Sequence, residues 1–442
     1  MVSRRTTLRL AGAGLLGLAG CTDRGGRTPT ATQSDTPDGS TPDGGGPTDG
    51  TPSETPGDSR IDVEGASPTW TASLGDGLVT DPVYADGHVA VVVGTTVYGV
   101  DAATGETAWT FESPVSPEGD YGRPAAELVR HDGVLYALVG ISVGTGAHDH
   151  VLHALTPAGE ERWTYESGTG GFHTVVGFGD EAVVLGTSDD AIGPVDSGGH
   201  AAIAVNLADG RERWRAETAD AMGGSVGDDF VAVELYGGVD CFDVATGERR
   251  FQFAPDGDDR ISATAVGGGR AFVGVDRYEG DEPTMHALFA ETGAMDWSLS
   301  GTVVSSLRYR GDLYVGGETV ARYGPTGPRR WSFDGGGLLT GVPFDPDALY
   351  TNADSSVVKL SRETGAGLWT ADATDLAIPR ARGGDAVVSA DGQARTVFAH
   401  SAGDGSELWR ASLPGEYPPT PAAGDDGAIL ATVDGELAMV PF

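Results

Sequence analysis

The chain is poor in the residues on which much protein chemistry depends. Its 442 residues include two cysteines, Cys21 and Cys241, in unrelated contexts with no vicinal pair, no CxxC and no metal-type spacing. A disulfide-stapled scaffold is excluded. Lysine occurs once, at Lys359, and asparagine twice, at Asn206 and Asn352. With 28 basic residues against 65 acidic ones the formal charge is −37. No basic patch survives that balance, which argues against nucleic acid or anionic lipid as a partner. No stretch of helical periodicity runs longer than three turns, so the body reads as all-β.

What is abundant is acid, glycine and tryptophan in a fixed frame. Self-repulsion at −37 would hurt most proteins in dilute buffer, but in molar salt the Debye length shrinks to ~3 Å and an acidic coat stays hydrated. The composition therefore points to a halophilic source.

At the start, Ser3-Arg4-Arg5-Thr6-Thr7-Leu8 precedes a small apolar run from Leu10 to Gly20 that ends at Cys21. The run is too short to span a bilayer and has the layout of an export signal. Arg4 and Arg5 resemble a twin-arginine signal, and Leu18-Ala19-Gly20-Cys21 resembles a lipobox. Residues 1–20 are then a signal peptide, and Cys21 a lipidated first residue that anchors the chain to the outer face of the cytoplasmic membrane. An ordinary cleaved signal with an incidental cysteine is the alternative. Gly12-Ala-Gly14-Leu-Leu-Gly17 fits a dinucleotide fingerprint only formally, since no strand precedes it. Residues 21–60, almost wholly Thr, Pro, Asp, Gly and Ser without an aromatic side chain, cannot offset ordering entropy and read as a disordered tether.

From residue 61 to 442 one pattern repeats. A glycine stands four residues before an aromatic anchor at Gly105/Trp109, Gly159/Trp163, Gly210/Trp214, Gly247/Phe251, Gly293/Trp297, Gly327/Trp331, Gly365/Trp369 and Gly405/Trp409. Trp70 stands just ahead of the series. Before each glycine lies a short β-forming segment such as Val97-Tyr-Gly-Val-Asp101 or Gly238-Val-Asp-Cys-Phe-Asp243. An Asp or Asn after it can cap the turn, and the glycine tolerates the positive φ of a reversal. A large indole at one place in every unit buries its area against the adjoining unit, its N–H meeting a backbone carbonyl.

Spacings of 39, 54, 51, 37, 46, 34, 38 and 40 residues between successive anchors suit four-stranded blades with unequal loops. The last unit ends after three strands, and Trp70 sits on a strand with no unit before it. Joined, they close a single β-propeller and remove its exposed edges. Counting units gives nine blades.

Asp101-Ala-Ala-Thr-Gly-Glu-Thr-Ala-Trp109, Asp243-Val-Ala-Thr-Gly-Glu-Arg-Arg-Phe251 and Arg362-Glu-Thr-Gly-Ala-Gly-Leu-Trp369 resemble the tryptophan-docking repeats of pyrroloquinoline-quinone (PQQ) propellers. Most rings with this repeat have eight blades. Eight here would require the units ending at Phe251 or Trp331 to be something else. The family includes quinoprotein alcohol and glucose dehydrogenases, the propeller lipoprotein of the bacterial outer-membrane assembly machine, and archaeal surface lipoproteins. With its export motifs and acidic coat the chain looks most like the last group, from a haloarchaeon. The resemblance implies for a dehydrogenase that PQQ stacks between a tryptophan and a disulfide of adjacent cysteines, beside a calcium held by Glu, Asn and Asp. Here Cys241 is alone, the tryptophans are absorbed by the frame, and Asn206 sits at a turn.

Other motifs are weaker. Gly140-Ile-Ser142-Val-Gly144 matches a nucleophile elbow but sits among strands rather than before a helix. His148, Asp149 and His150, with His153 nearby, form the densest ligand-like cluster, although on a strand His150 and His153 would face opposite ways. Cys241 reads as a buried thiol. The expected function is a membrane-anchored extracytoplasmic scaffold, with a protein or small ligand docking at one ring face where the long loops before Trp163 and Trp214 gather. It uses neither catalytic residues nor a cofactor. The alternative is a PQQ- and calcium-dependent oxidoreductase of alcohols or sugars.

Overall fold

The computed structural model describes residues 60–442, apart from 76, 78–79, 116–121, 144–149, 167–171, 189–199, 236, 258, 277–281, 340–343 and 416–417. Cys21, Arg4, Arg5, His148 and Asp149 lie outside the described residues. Among the described residues there is no helix, hence none long and apolar enough to cross a membrane.

One unit shows why the sequence folds as it does. Val83–Ala85, His88–Val93, Thr96–Asp101 and Thr107–Glu112 pair antiparallel in chain order. The second strand, His-Val-Ala-Val-Val-Val, is buried almost throughout, because sheets cover it on both faces. The third ends at Asp101, whose Oδ1 accepts from the N–H groups of Ala103 (3.0 Å) and Thr104 (2.9 Å). Gly105 follows at φ +75°, the left-handed turn position that glycine adopts without steric cost.

Nine such sheets follow one another. Blades 1 to 8 occupy residues 83–112, 122–166, 172–217, 221–253, 260–300, 306–337, 344–372 and 378–412, and blade 9 combines 422–441 with 70–73. In blade 6 the run Leu313–Tyr323 pairs through its first half with Ser306–Tyr309 and through its second with Arg329–Gly337. Extended, ten residues would span ~33 Å. Yet the Nε of Arg322 donates to Asp312 Oδ2 over 2.7 Å, so the run doubles back as a tight hairpin and supplies two strands. In blade 7 a bridge from Phe344 to Leu349 marks the inner-strand position. The units ending at Phe251 and Trp331 are full sheets, so the repeat count of nine holds and the eight implied by resemblance is corrected.

The ring closes as the chain ends required. Trp70–Ser73 pairs antiparallel with Glu436–Pro441, Ser73 opposite Glu436. The inner strand Ala422–Ala423 packs against both Ile378–Gly383 of blade 8 and Val83–Ala85 of blade 1. Asp62–Glu64, which no sequence signal marks as a strand, pairs with Glu407–Ser412 and makes blade 8 five-stranded.

Successive blades are joined by the aromatic anchors. Each indole N–H donates to a carbonyl of the next blade: Trp70 to Ala102 (2.8 Å), Trp109 to Pro157 (3.0 Å), Trp163 to Leu207 (2.9 Å), Trp214 to Val244 (2.8 Å), Trp297 to Pro325 (3.1 Å), Trp331 to Arg362 (3.0 Å), Trp369 to Ala402 (3.1 Å) and Trp409 to Pro441 (2.9 Å). The frame glycine has a second use that its turn geometry did not reveal. It is the floor on which the ring of the preceding blade lies. A Cβ on Gly105 would come within 2.6 Å of Trp70, and one on Gly365 within 2.6 Å of Trp331. Just before each anchor from Trp109 to Trp409 the pairing skips a residue, as at Ala108, Leu368 and Leu408, a bulge of the kind that re-aims the next side chain.

Candidate functional site

All nine anchors, Trp70, Trp109, Trp163, Trp214, Phe251, Trp297, Trp331, Trp369 and Trp409, are wedges between blades. Two clefts at the blade seams are lined by none of them.

The histidine cluster is divided by the strand Val151–Leu155. His150 lies over Gly140, where an added Cβ would be 2.1 Å from its ring. His153 faces the other way, into the seam with blade 1, as the two-residue period requires. No group of three metal-ligating side chains forms among the described residues. His153 is fully buried. Its Nε2 lies 2.9 Å from Ser113 Oγ, its Nδ1 3.1 Å from Thr164 Oγ1 and 3.6 Å from Glu161 Oε2. Burial holds its pKa below the ordinary histidine value, with Glu161 opposing that shift. Serine, histidine and carboxylate are thus in series, but Ser113 is only 8 % exposed and neither cleft reaches it. The series satisfies a buried imidazole rather than presenting a nucleophile. Ser113 stands forty residues from His153 in sequence, and no motif announces the pair.

The remaining chemical candidates are also occupied structurally. Ser142 lies on the strand Val134–Val143, not at a strand-to-helix turn. Burial pushes the Cys241 thiol up to about 12, which keeps it protonated and unreactive. Asn206 Oδ1 accepts from Ala208 N–H (2.8 Å), and Asn352 Oδ1 accepts from Leu338 N–H (3.0 Å). Both asparagines serve their own backbone.

Charged groups lie across the seams near the inner strands. Glu127 of blade 2 accepts from Val175 N–H of blade 3 (3.0 Å), and Glu234 of blade 4 accepts from Thr264 Oγ1 of blade 5 (2.7 Å). Burial raises the pKa of both, against the lowering effect of those bonds.

The seam between blades 4 and 5 departs most from the repeat. Phe251 replaces the docking tryptophan, and Phe289 replaces the aspartate that starts the turn: Phe289-Ala-Glu-Thr-Gly293 against Asp101-Ala-Ala-Thr-Gly105. The Phe251 ring still covers Gly293 but has no N–H for Ala290, whose carbonyl stands at the acceptor position of the other seams. A cleft of about 960 Å³ opens there, lined by Phe230, Arg249, Arg250, Phe289 and Ala290 among others. Arginines cover its aromatic rings: Arg250 lies 5.8 Å from the Phe230 centroid and Arg270 5.3 Å from that of Phe289. Arginine with aromatics is the composition enriched at protein interfaces. A smaller cleft of about 490 Å³ lies at the seam of blades 2 and 3, beside His131, Arg162 and Arg213.

Nine radial sheets joined by aromatic docking and closed through the chain ends define a β-propeller of PQQ-like repeats. The chain belongs to the family described as outer membrane protein assembly factor BamB, which matches residues 58–253 and 316–442. The interval between the two matches contains blade 5, where the repeat is most altered. Among solved structures the chain is similar to BamB from Moraxella catarrhalis (19% identity, 72% of this chain and 94% of that one, TM-score 0.46). It is also similar to the computationally designed Ika8 protein (15%, 84% and 98%, 0.50) and to quinohemoprotein alcohol dehydrogenase from Comamonas testosteroni (14%, 85% and 76%, 0.45). At these identities the likeness concerns the fold. No curated protein sequence matches the chain.

Proposed function

We infer that this protein is an extracytoplasmic scaffold from a halophile, exported by a twin-arginine signal, held to the outer face of the membrane through a lipid on Cys21 and a tether of residues 21–60, and built to bind a protein partner. Membership of a family described as an assembly factor supports a partner-binding role. The observation that carries the non-catalytic reading is the use of every anchor tryptophan in docking. The buried solitary Cys241 and the two engaged asparagines support it. The ring-face loops before Trp163 and Trp214, at which a partner was expected, lie largely outside the described residues.

The second reading, a PQQ- and calcium-dependent oxidoreductase, is favoured only by the likeness of the repeat to quinoproteins. Adding PQQ and calcium to purified protein in high salt separates the two. A scaffold binds no chromophore and oxidises neither alcohols nor aldoses, whereas a bound quinone with turnover would overturn it. The anchor is tested by Cys21→Ser, which should move the protein from the membrane fraction to the soluble one. Retention of the variant in membranes would defeat the lipid attachment.

A further inference from the structure

The fifth strand of blade 8 shows what the outer edge of this propeller can accept. Residues 61–66 run along Glu407–Ser412, with Val63 opposite Ala411 and Glu64 opposite Arg410. Ile61, Val63 and Ala66 pack with Leu408 on the cluster that holds Trp409 and Ala411. Under that cover Trp409 is 1 % exposed, the most buried of the eight indoles. An unpaired outer strand presents a row of free N–H and C=O groups, and an extended segment satisfies them while its alternate side chains give specificity.

Blade 7 presents the same edge uncovered. Among the described residues its outer strand Gly367–Asp372 pairs on one side only, with Ser356–Ser361. Leu368 occupies the bulge position that Leu408 has in blade 8, yet it is 54 % exposed, and Gly367 beside it faces open space. From Gly365 to Ala371 there is no charged side chain. The edges of blades 2 to 6 and 9 carry a charge or a proline that blunts edge pairing, whereas blade 1 has only a small alanine there, with no exposed large apolar side chain to anchor a strand. The position before the anchor is Arg162, Arg213, Arg250, Asp296 and Arg330 in blades 2 to 6, Ala108 in blade 1, and Thr69 after Pro68 in blade 9. Met295 of blade 5 is exposed too, but Asp296 follows it on that edge, paired with Arg270.

We propose that the outer edge of blade 7 takes up an extended segment of a partner polypeptide, apolar at alternate positions, in antiparallel pairing with Gly367–Asp372, as Asp62–Glu64 pairs with blade 8. The proposal rests on the scaffold reading and names the kind of partner. The chain's own segment is already seated on blade 8. A second copy, with the same formal net charge of −37, is the competing occupant that sedimentation tests. Thr370 also stands where blade 8 has Arg410, so the occupant is an uncharged or basic strand rather than an acidic one.

The test uses a labelled synthetic peptide with the sequence of residues 59–65 in which Asp62 and Glu64 are replaced by threonine, titrated into the full chain at fixed high salt. Fluorescence anisotropy should rise saturably with wild type. It should weaken at least tenfold with Leu368→Lys and with Thr370→Lys, both exposed positions at which unchanged unfolding midpoints verify the fold. No saturable binding, or equal binding to both variants, overturns the proposal. Sedimentation of the unliganded protein covers the other occupant: a dimer abolished by Leu368→Lys would assign the edge to a second copy and overturn the partner strand. Failure of the peptide would leave the scaffold reading standing, because membrane release and quinone binding are read independently.

Discussion

Gly365→Ala isolates the contact that joins blades 6 and 7. Gly365 sits at φ +72°, and a Cβ there would lie 2.6 Å from Trp331 Cδ2 and Cε3. Two costs follow. A non-glycine residue in the left-handed region costs ~1–2 kcal/mol, and forcing a methyl group into a packed ring contact costs ~1–3 kcal/mol. The variant should therefore lose about 2–5 kcal/mol, read as a lowered midpoint in chemical denaturation at fixed salt. The two parts separate in a cycle with Trp331→Ala, which alone should cost ~3–5 kcal/mol as a buried aromatic truncation. Without the indole the steric part vanishes and only the backbone cost remains, so the double variant should be more stable than the sum by ~1–3 kcal/mol. Additive effects within about 0.5 kcal/mol would show that the glycine does not support the indole of the preceding blade.

Phe251→Trp should stabilise the seam of blades 4 and 5, since the Ala290 carbonyl stands where the other seams place the indole acceptor, a bond worth ~0.5–1.5 kcal/mol; a lowered midpoint would mean that this seam is built differently from the other eight. His153 is kept neutral by burial, so its folded pKa lies below the ordinary value. Its contribution to stability is therefore complete above about pH 6.5 and is lost as pH falls through the folded value. His153→Phe, which copies Phe398 at the same register of blade 8, should flatten the fall in stability below pH 6.5 by up to ~1.4 kcal/mol per pH unit. An unchanged slope would remove His153 from the acid response.

The architecture was readable because the frame of glycine and aromatic anchor returns at a constant offset, and because an unmatched Trp70 strand and a three-strand end are complementary. The blade number followed from counting units rather than from resemblance: the weak units at Phe251 and Trp331 still carry four strands' worth of alternating apolar residues. The partner of each glycine was not readable. Gly365 and Trp369 are neighbours in the chain, yet Gly365 touches Trp331, and such a contact between units leaves no local signal. The Ser113–His153 bond is hidden for the same reason. The strand Asp62–Glu64 at the start of the repeat body was not readable, since three paired residues are too few to set a strand period. The substitution of Phe289 for the turn aspartate was visible beside Phe251, but that Phe289 and Ala290 share a cleft with Phe230 and Arg250 of the preceding blade needed both blades placed on one seam.

Ring closure is tested most directly by the pair Ser73→Cys and Glu436→Cys in a Cys21→Ser background, where Cys241 is too deeply buried to compete. Residues 73 and 436 face each other on the two strands that complete blade 9, so mild oxidation should give a nearly quantitative intramolecular disulfide and raise the unfolding midpoint. Reduced thiols after oxidation, or cross-links only between molecules, would mean that the two ends do not share a sheet.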